Sequence, residues 1–288
     1  MTSEDAGQPE LDALVRLLDL EQIDADIFRG QSHQTPIQRV FGGQVAGQAL
    51  VAAGRTVAPE RSVHSLHSYF IRAGDANKSI VYEVDRVRDG RSFSVRRVVA
   101  VQDGKAIFTL SASFQLEQEG IEHQPAMPAV PMPEDLPTLE ERYAARPDIY
   151  EQLMLRNHPI ERRYVDGPSW DRGPADQAGT QSLWIRANGK LPDDPLLHVC
   201  VLTYASDLTL LDTVLVAHGL SHETHRISMA SLDHAMWFLR PFRMDEWILY
   251  SMKSPAAHGG RGFATGRFFS RDGVHLGSVA QEGMIRVR

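Results

Sequence analysis

The fold is decided by a stretch that begins His67-Ser-Tyr-Phe-Ile-Arg72 and continues with Gly90-Arg-Ser-Phe93 and Val101-Gln-Asp-Gly-Lys105. The same three landmarks return in the same order as Ala235-Met-Trp-Phe-Leu-Arg240, Gly260-Arg-Gly-Phe263 and Ser270-Arg-Asp-Gly-Val274. The spacing is also kept, since 31 positions separate Arg72 from Asp103 and 32 separate Arg240 from Asp272. Matching landmarks at near-equal spacing indicate one structural unit written twice.

Each copy carries an Asp-Gly pair, at Asp103-Gly104 and Asp272-Gly273, between two runs with strand character. Asp-Gly readily takes the positive φ angles of a two-residue type I′ turn, so both pairs predict β-hairpins. Another strand is predicted in each copy, over Ile80–Val84 and Trp247–Tyr250.

One apolar helical stretch precedes the strands of each copy, from Gln44 to Ala53 and from Leu196 to Leu208. A long helix backed by a mostly antiparallel sheet, present twice, is an α+β architecture.

The ends of the two units follow from composition. Leu11, Leu14, Val15 and Leu18 recur at helical spacing after a polar tail. Five prolines crowd residues 125–137, and Thr138 and Glu141 have the spacing of a helix capping box. We therefore predict an N-terminal unit at 11–118, a Pro-rich connector at 119–165 and a C-terminal unit at 166–288.

Composition excludes several classes of function. The 288 residues are 42% hydrophobic and 23% charged, which suits a globular chain with a large core. The net charge of −7 disfavours nucleic acid and anionic membranes as partners. No apolar run approaches the roughly 20 residues that span a bilayer. Cys200 is the sole cysteine, so no intramolecular disulfide forms, and a polar, acidic N-terminus makes the cytoplasm the expected location.

The sequence lacks several motifs of known enzyme classes. There is no Gly-x-Ser-x-Gly, and the glycines of 260–266 miss the spacing of a dinucleotide fingerprint. His222-Glu-Thr-His225 is one residue short of a zinc-protease helix motif. His64 and His67 fall in a predicted strand, where positions three apart face opposite sides. We predict no metal and no cofactor.

Longer strings resemble the type II acyl-CoA thioesterase family, which includes bacterial TesB and peroxisomal enzymes. In the first copy they are Phe28-Arg-Gly-Gln31, Val40-Phe-Gly-Gly-Gln-Val45, His64-Ser-Leu-His-Ser-Tyr-Phe70 and Arg88-Asp-Gly-Arg-Ser-Phe93. In the second they are Ala205-Ser-Asp-Leu208, Asp233-His-Ala-Met-Trp-Phe238, Asp245-Glu-Trp-Ile-Leu-Tyr250, Arg261-Gly-Phe263 and Ala280-Gln-Glu-Gly283. The resemblance implies a double hotdog fold and hydrolysis of fatty acyl-CoA to free acid and CoA. It also implies a homo-oligomer, a dimer or tetramer.

The resemblance also implies a catalytic trio, Asp207, Ser231 and Gln281, that holds one water molecule. The repeat places Val63 opposite Ser231 and Ala112 opposite Gln281, so only the second copy is polar at these two positions. This is consistent with one chemical site per chain. From the residues alone, an Asp, a Ser and a Gln in such contexts are more often a cap, a strand hydroxyl and a surface group.

The expected mechanism is direct attack by water without a covalent intermediate. A thiol leaving group has a pKa of about 8.5 and needs little acid help, so the enzyme must supply a positioned water, a base and carbonyl polarisation. We expect Asp207 to act as base, Ser231 and Gln281 to hold the water, and backbone N–H groups near Gly42 and Gly43 to stabilise the oxyanion.

Two other functions fit the same resemblance: a hotdog hydratase or dehydratase, and a non-catalytic acyl-CoA binding module. The Asp-x-Asn-Pro-x-His loop typical of such hydratases is absent from the sequence. Arginines that suit either CoA phosphates or repeated structural contacts are Arg72, Arg88, Arg91, Arg240, Arg243 and Arg261. Similarly, Leu208, Leu210, Leu211 and Val214 suit either an acyl tunnel or the core.

Overall fold

The computed structural model describes residues 7–32, 39–146, 158–171, 179–221 and 225–287. Its helices are α1 (Gln8–Leu18), α2 (Gly42–Gly54), α3 (Leu139–Tyr143), α4 (Pro195–Ser206) and α5 (Asp212–His218). Strands of the first half are β1 (Glu21–Asp24), β2 (Ile27–Gly30), β3 (Arg61–Phe70), β4 (Ile80–Asp89), β5 (Phe93–Gln102) and β6 (Lys105–Leu116). The second half has β7 (Ile160–Tyr164), β8 (Thr180–Ala187), β9 (Ile227–Ser231), β10 (Asp233–Phe238), β11 (Ile248–His258), β12 (Arg261–Ser270) and β13 (His275–Val287).

The strand order confirms the predicted duplication. In the first half the strands follow the order β1-β2-β4-β5-β6-β3, and in the second they follow β7-β8-β11-β12-β13-β10. The two sheets join where β3 pairs antiparallel with β10, with Ala235 opposite His67. The register also bears out the predicted equivalences, because Val63 lies opposite Phe114 in one half and Ser231 opposite Gly283 in the other.

Helices α2 and α4 occupy the predicted helical stretches and pack antiparallel against each other. A methyl group on Gly43 would overlap the carbonyl oxygen of Tyr204, and one on Gly54 would overlap Leu196. The absence of a side chain therefore lets the α2 backbone approach the α4 backbone at Gly43, and it lets the Leu196 side chain lie against α2 at Gly54. Asp194 caps α4 by accepting from the N–H of Leu196 at 3.0 Å.

One predicted hairpin turn is confirmed and the other is wrong in type. Asp103 and Gly104 have φ of 48° and 70°, as a type I′ turn requires. In the second hairpin only Gly273 has positive φ, and its N–H bonds the carbonyl of Ser270 at 3.0 Å. The N–H of Ser270 bonds the carbonyl of Val274, so the loop has three residues, a type I turn followed by a left-handed glycine.

The connector is more structured than composition indicates. The predicted capping box is present, since Thr138 accepts from Glu141 and Glu141 accepts from Thr138. Strand β7 lies inside the predicted connector 119–165, yet it pairs with β8 and so extends the sheet of the second half. Helix α5, which the sequence reading does not separate from α4, inserts between α4 and β9.

The core occupies the space between the sheet and the helices. Leu210, Leu211 and Val214 are buried in it, which favours the structural reading of these residues over a tunnel wall. The thiol of Cys200 is buried and unpaired, as expected of a core cysteine. Among the described residues, no helix combines the length and apolar character needed to cross a membrane.

Candidate active site

Asp207 lies at the C-terminal end of α4 and is the centre of a small polar cluster. The amide nitrogen Nε2 of Gln281 donates to its Oδ1 at 2.7 Å. The hydroxyl of Ser231 donates to the same oxygen at 3.3 Å. The structure therefore brings together the three side chains that the resemblance singled out, from positions 24 and 74 residues away from the aspartate.

Strand pairing places Ser231 beside Gln281. Ser231 is the last residue of β9 and lies opposite Gly283 on β13. Gln281 is two residues earlier on β13, and residues two apart on a strand project from the same face. Both side chains thus meet the end of α4, which packs over that face.

The first half contributes the other wall of the cluster. A methyl group on Gly42, the first residue of α2, would overlap Oδ2 of Asp207 and the ring of Phe70. The backbone N–H of Gly43 is close enough to the Asp207 carboxylate to lower its pKa. Residue Gln44 turns away, because its amide donates to Ser32 at 3.0 Å instead. The cluster thus lies between the two halves.

The electrostatics suit a base that works near neutral pH. Burial raises the pKa of Asp207 from 3.8 to about 6. Hydrogen bonds from Gln281, Ser231 and Gly43 oppose that rise, because each favours the charged carboxylate. A carboxylate that is basic yet mostly ionised at pH 7 can take a proton from water.

Behind the cluster lie two buried polar residues, Ser206 and His234, that were not predicted from the sequence. Ser206 Oγ is 2.8 Å from Nε2 of His234. Burial lowers the pKa of His234 to about 4, so its imidazole is neutral at physiological pH. His234 belongs to the string Asp233–Phe238. The pairing of β10 with β13 places it beside Gln281.

Comparisons with known proteins decide the family. Residues 31–115 match the family described as "Acyl-CoA thioesterase N-terminal domain", and residues 158–284 match "Acyl-CoA thioesterase". Human "Acyl-coenzyme A thioesterase 8" is 44% identical over 99% of this chain and 93% of its own length. The chain belongs to the type II acyl-CoA thioesterase family. "Acyl-CoA thioesterase 2" of Haemophilus influenzae is 38% identical over 96% of this chain and 98% of its own.

Solved structures agree with this thioesterase assignment. The acyl-CoA thioesterase II TesB2 from Mycobacterium marinum is 46% identical, with a TM-score of 0.80 over 96% of this chain and 98% of that one. A hot dog fold protein of unknown function from Alicyclobacillus acidocaldarius matches with a TM-score of 0.77 at 23% identity, which shows the fold alone. The predicted family, the hotdog fold class and acyl-CoA hydrolysis are thereby confirmed.

The thioesterase site shows no arrangement of metal ligands. Within the described ranges, no group of three or more His, Cys, Asp or Glu side chains is placed to hold an ion. The string His222-Glu-Thr-His225 falls mostly outside those ranges. Polar groups around Asp207 are an amide, a hydroxyl and backbone N–H groups, which suit a water molecule and a thioester carbonyl.

Most of the arginines that could bind the phosphates of CoA have partners within this thioesterase. Arg72 donates to the carbonyl of Ala106 at 2.7 Å, and Arg240 donates to the carbonyl of His275 at 3.0 Å. The two contacts occupy equivalent places in the two halves, so they belong to the repeated fold. Arg261 pairs with Glu282 at 2.9 Å.

Proposed function

We propose that this thioesterase hydrolyses fatty acyl-CoA to free fatty acid and CoA by direct attack of one water molecule on the thioester carbonyl. Asp207 is the base, Ser231 and Gln281 complete the site, and no covalent acyl-enzyme forms. The observation that carries this proposal is the convergence of both polar side chains on one carboxylate whose pKa is raised to about 6.

We assign different tasks to the two carboxylate oxygens from their contacts. Oδ1 of Asp207 accepts from Gln281 and Ser231 and is held by them. Oδ2 faces Gly42 and is the oxygen that takes the proton of the attacking water. Ser231 and Gln281 therefore act first by orienting the base, and the Ser231 hydroxyl, at a long 3.3 Å, also has reach to the water.

The proposed reaction has an addition step, an elimination step and a return of the proton. The water oxygen bonds to the carbonyl carbon while its proton moves to Oδ2, and the tetrahedral oxyanion collapses to expel the CoA thiolate. The proton on Asp207 passes to that thiolate, which restores the carboxylate. Backbone N–H groups at the start of α2, that of Gly42 first among them, supply the positive end of a helix for the oxyanion.

The proposal extends to organisation. We infer hotdog units at 11–118 and 166–288 joined by the connector 119–165, whose last strand, β7, is added to the sheet of the second unit. We also infer a dimer or tetramer in the cytoplasm. Tyr69 and Trp237 expose 64% and 38% of their surface on the outer face of β3 and β10, where a second copy would cover them. The unpaired Cys200 suits a reducing compartment. Light scattering on the purified chain tests the oligomer.

A free-thiol assay tests the activity. The purified chain is mixed with a saturated C16 acyl-CoA, and released CoA is followed with a thiol reagent. We expect turnover by the wild type and its loss in Asp207→Ala with the circular dichroism spectrum unchanged. Binding of acyl-CoA without thiol release would favour the binding module. Hydration of an enoyl-CoA without thiol release would favour a hydratase.

The route of the water is tested by isotope. Under single turnover in H₂¹⁸O, direct attack places one ¹⁸O in the fatty acid and none in the peptide that contains Asp207. An acyl adduct on that peptide in rapidly quenched samples, or label in its carboxylate, would show instead that Asp207 is a nucleophile.

A further inference from the structure

Two buried polar atoms beside the catalytic cluster lack partners. Oε1 of Gln281 and Nδ1 of His234 meet no hydrogen-bond partner at normal geometry within the part of the chain that the structure describes. Both residues are only 1% exposed. An unsatisfied buried polar atom is costly, so two such atoms side by side call for an explanation.

Strand register places these two side chains next to each other. Ala235 on β10 lies opposite Ala280 on β13, so the next step of the antiparallel ladder sets His234 against Gln281. Directly opposed side chains on one face are close enough to interact. The interaction is visible in the electrostatics, because the Gln281 side chain favours the protonated form of His234.

The first half shows that the fold does not require a polar pair at this place. The equivalent positions hold Leu66 and Ala112, which lie opposite each other across β3 and β6. Both are buried, at 0% and 1% exposure. An apolar pair therefore satisfies the same sheet under the same kind of helix, and the polar pair of the second half serves something other than folding.

Proton placement follows from the donors and acceptors. The bond from Gln281 to Asp207 directs the amide nitrogen toward the carboxylate, which leaves Oε1 toward His234. That arrangement is favourable only when Nδ1 carries the imidazole hydrogen. The neutral ring has a single hydrogen, so Nε2 must accept one from the Ser206 hydroxyl, 2.8 Å away. The Ser206 hydroxyl also lies 2.8 Å from the Thr203 carbonyl, and its one hydrogen goes to the ring when Nδ1 carries the imidazole hydrogen.

We propose that His234 is a positioning residue, whose Nδ1–H donates to Oε1 of Gln281 and prevents the amide from turning its oxygen toward Asp207. The hydrogen-bond order is Ser206 to His234 to Gln281 to Asp207. This inference rests on the proposed function, because His234 acts on the proposed base, Asp207, only by orienting Gln281. A flipped amide would set an oxygen against the carboxylate and remove the 2.7 Å donor.

Three substitutions of His234 in the full chain test the inference. His234→Leu installs the residue of the first half. His234→Asn keeps an amide N–H near the place of Nδ1, whereas His234→Gln puts its amide near the place of Nε2, toward Ser206. We expect kcat on C16 acyl-CoA to fall about 10- to 100-fold in the Leu and Gln variants with KM nearly unchanged, and to stay within about fivefold in the Asn variant.

A double variant separates this inference from the proposed function. In a Gln281→Ala background, adding His234→Leu should lower kcat no further, because the group that His234 holds is gone. The inference would be overturned if the Asn and Gln variants had equal kcat, or if the loss of kcat paralleled the loss of melting temperature across the variants. Additive losses of kcat in the double variant would overturn it as well. Full activity of Gln281→Ala alone would instead overturn the proposed catalytic trio.

Discussion

The two halves of this thioesterase have the same helix and the same strand order, but they differ at the positions that surround the end of the helix. The second half has Ser231, His234 and Gln281 where the first has Val63, Leu66 and Ala112. Since the first half folds with apolar residues at all three positions, the polar set is not a requirement of the hotdog unit. On the proposed mechanism, the second copy carries the chemistry and the first copy supports it structurally.

The first half uses its own polar group for structure. Arg96 is 1% exposed and donates to the Thr56 hydroxyl at 2.9 Å and to Asp89 at 2.7 Å. The residue that ends α2, in the place that Asp207 takes after α4, is Arg55, and it bonds Asp19 and the carbonyl of Leu20. A cation at the carbonyl end of a helix is stabilising, whereas a carboxylate there is not.

The largest effect is expected where the halves differ in charge. Asp207→Asn should lower kcat about 10²- to 10⁴-fold, the range for loss of a general base, with little change in KM. Steady-state thiol release measures it. The control is Asp89→Asn, which neutralises a carboxylate of the first half that pairs with Arg96 and should leave kcat as it is. A tenth or more of wild-type kcat in Asp207→Asn would contradict the assignment of the base to Asp207.

The next largest effect on kcat is expected when residues of the second half are replaced by their first-half equivalents. Ser231→Val and Gln281→Ala should each lower kcat about 10- to 100-fold, because the carboxylate loses a donor that orients it. The reciprocal double variant, Val63→Ser with Ala112→Gln, should add no activity. It should lower stability by about 1–3 kcal/mol for each buried polar group without a partner, measured by urea unfolding. Activity gained by the reciprocal variant would contradict a single site.

A third effect is the pH dependence of turnover. Since the pKa of Asp207 is about 6, the base is protonated below that value. A plot of log kcat against pH should therefore have a slope of one on its acid side. The midpoint should lie near pH 6, measured with C16 acyl-CoA between pH 4.5 and 8. An acid limb near pH 4 would mean that the carboxylate is an ordinary solvated one.

The raised pKa of Asp207 also affects the pH dependence of the free energy of unfolding. The direction of this effect is opposite to that of a salt-bridged carboxylate. The folded pKa of Asp207, about 6, exceeds its ordinary value of 3.8, so the folded state binds the proton more tightly than the unfolded state. Its contribution is present below pH 4 and is lost as the pH rises through 6. Asp207→Asn should therefore be more stable than wild type at pH 8, by roughly 1–3 kcal/mol, and equal to it below pH 4.

The smallest effect on turnover is expected in the first half. Thr56→Val removes the acceptor for Nε of Arg96, which should cost about 1–3 kcal/mol of stability and leave kcat unchanged. Thr109→Val on β6 is the matched control, since that side chain is partly exposed and should lose little. Loss of kcat in Thr56→Val without loss of stability would mean that the first half also supports the chemistry directly.

Much of the fold could be predicted because the signals are local and occur twice. Apolar spacing gave α2 and α4, and the turn at Asp103-Gly104 is set by its own two residues. The second hairpin turn was predicted wrongly because an Asp-Gly pair serves two-residue and three-residue loops alike. Helix α5 was missed because its apolar residues, and the leucines just before it, continue the apolar pattern of α4. Strand β7 was missed because it follows a proline-rich stretch.

The site was much less accessible to sequence reasoning. Asp207, Ser231 and Gln281 are far apart along the chain, and only a resemblance to a family singled them out. No local pattern distinguishes a strand glutamine that meets a helix end from one on a solvated face. His234 was reachable in principle, since the repeat pairs it with Leu66, a change from apolar to polar at a position that must be buried.

The glycine at position 43 has a consequence beyond packing. Main chain meets main chain there, because no β-carbon fits between α2 and the carbonyl of Tyr204. The spacing between the proposed oxyanion donors and the proposed base is therefore set by two rigid backbones and not by side chains that repack. Changes in side chains elsewhere in this thioesterase should therefore leave that spacing unaltered.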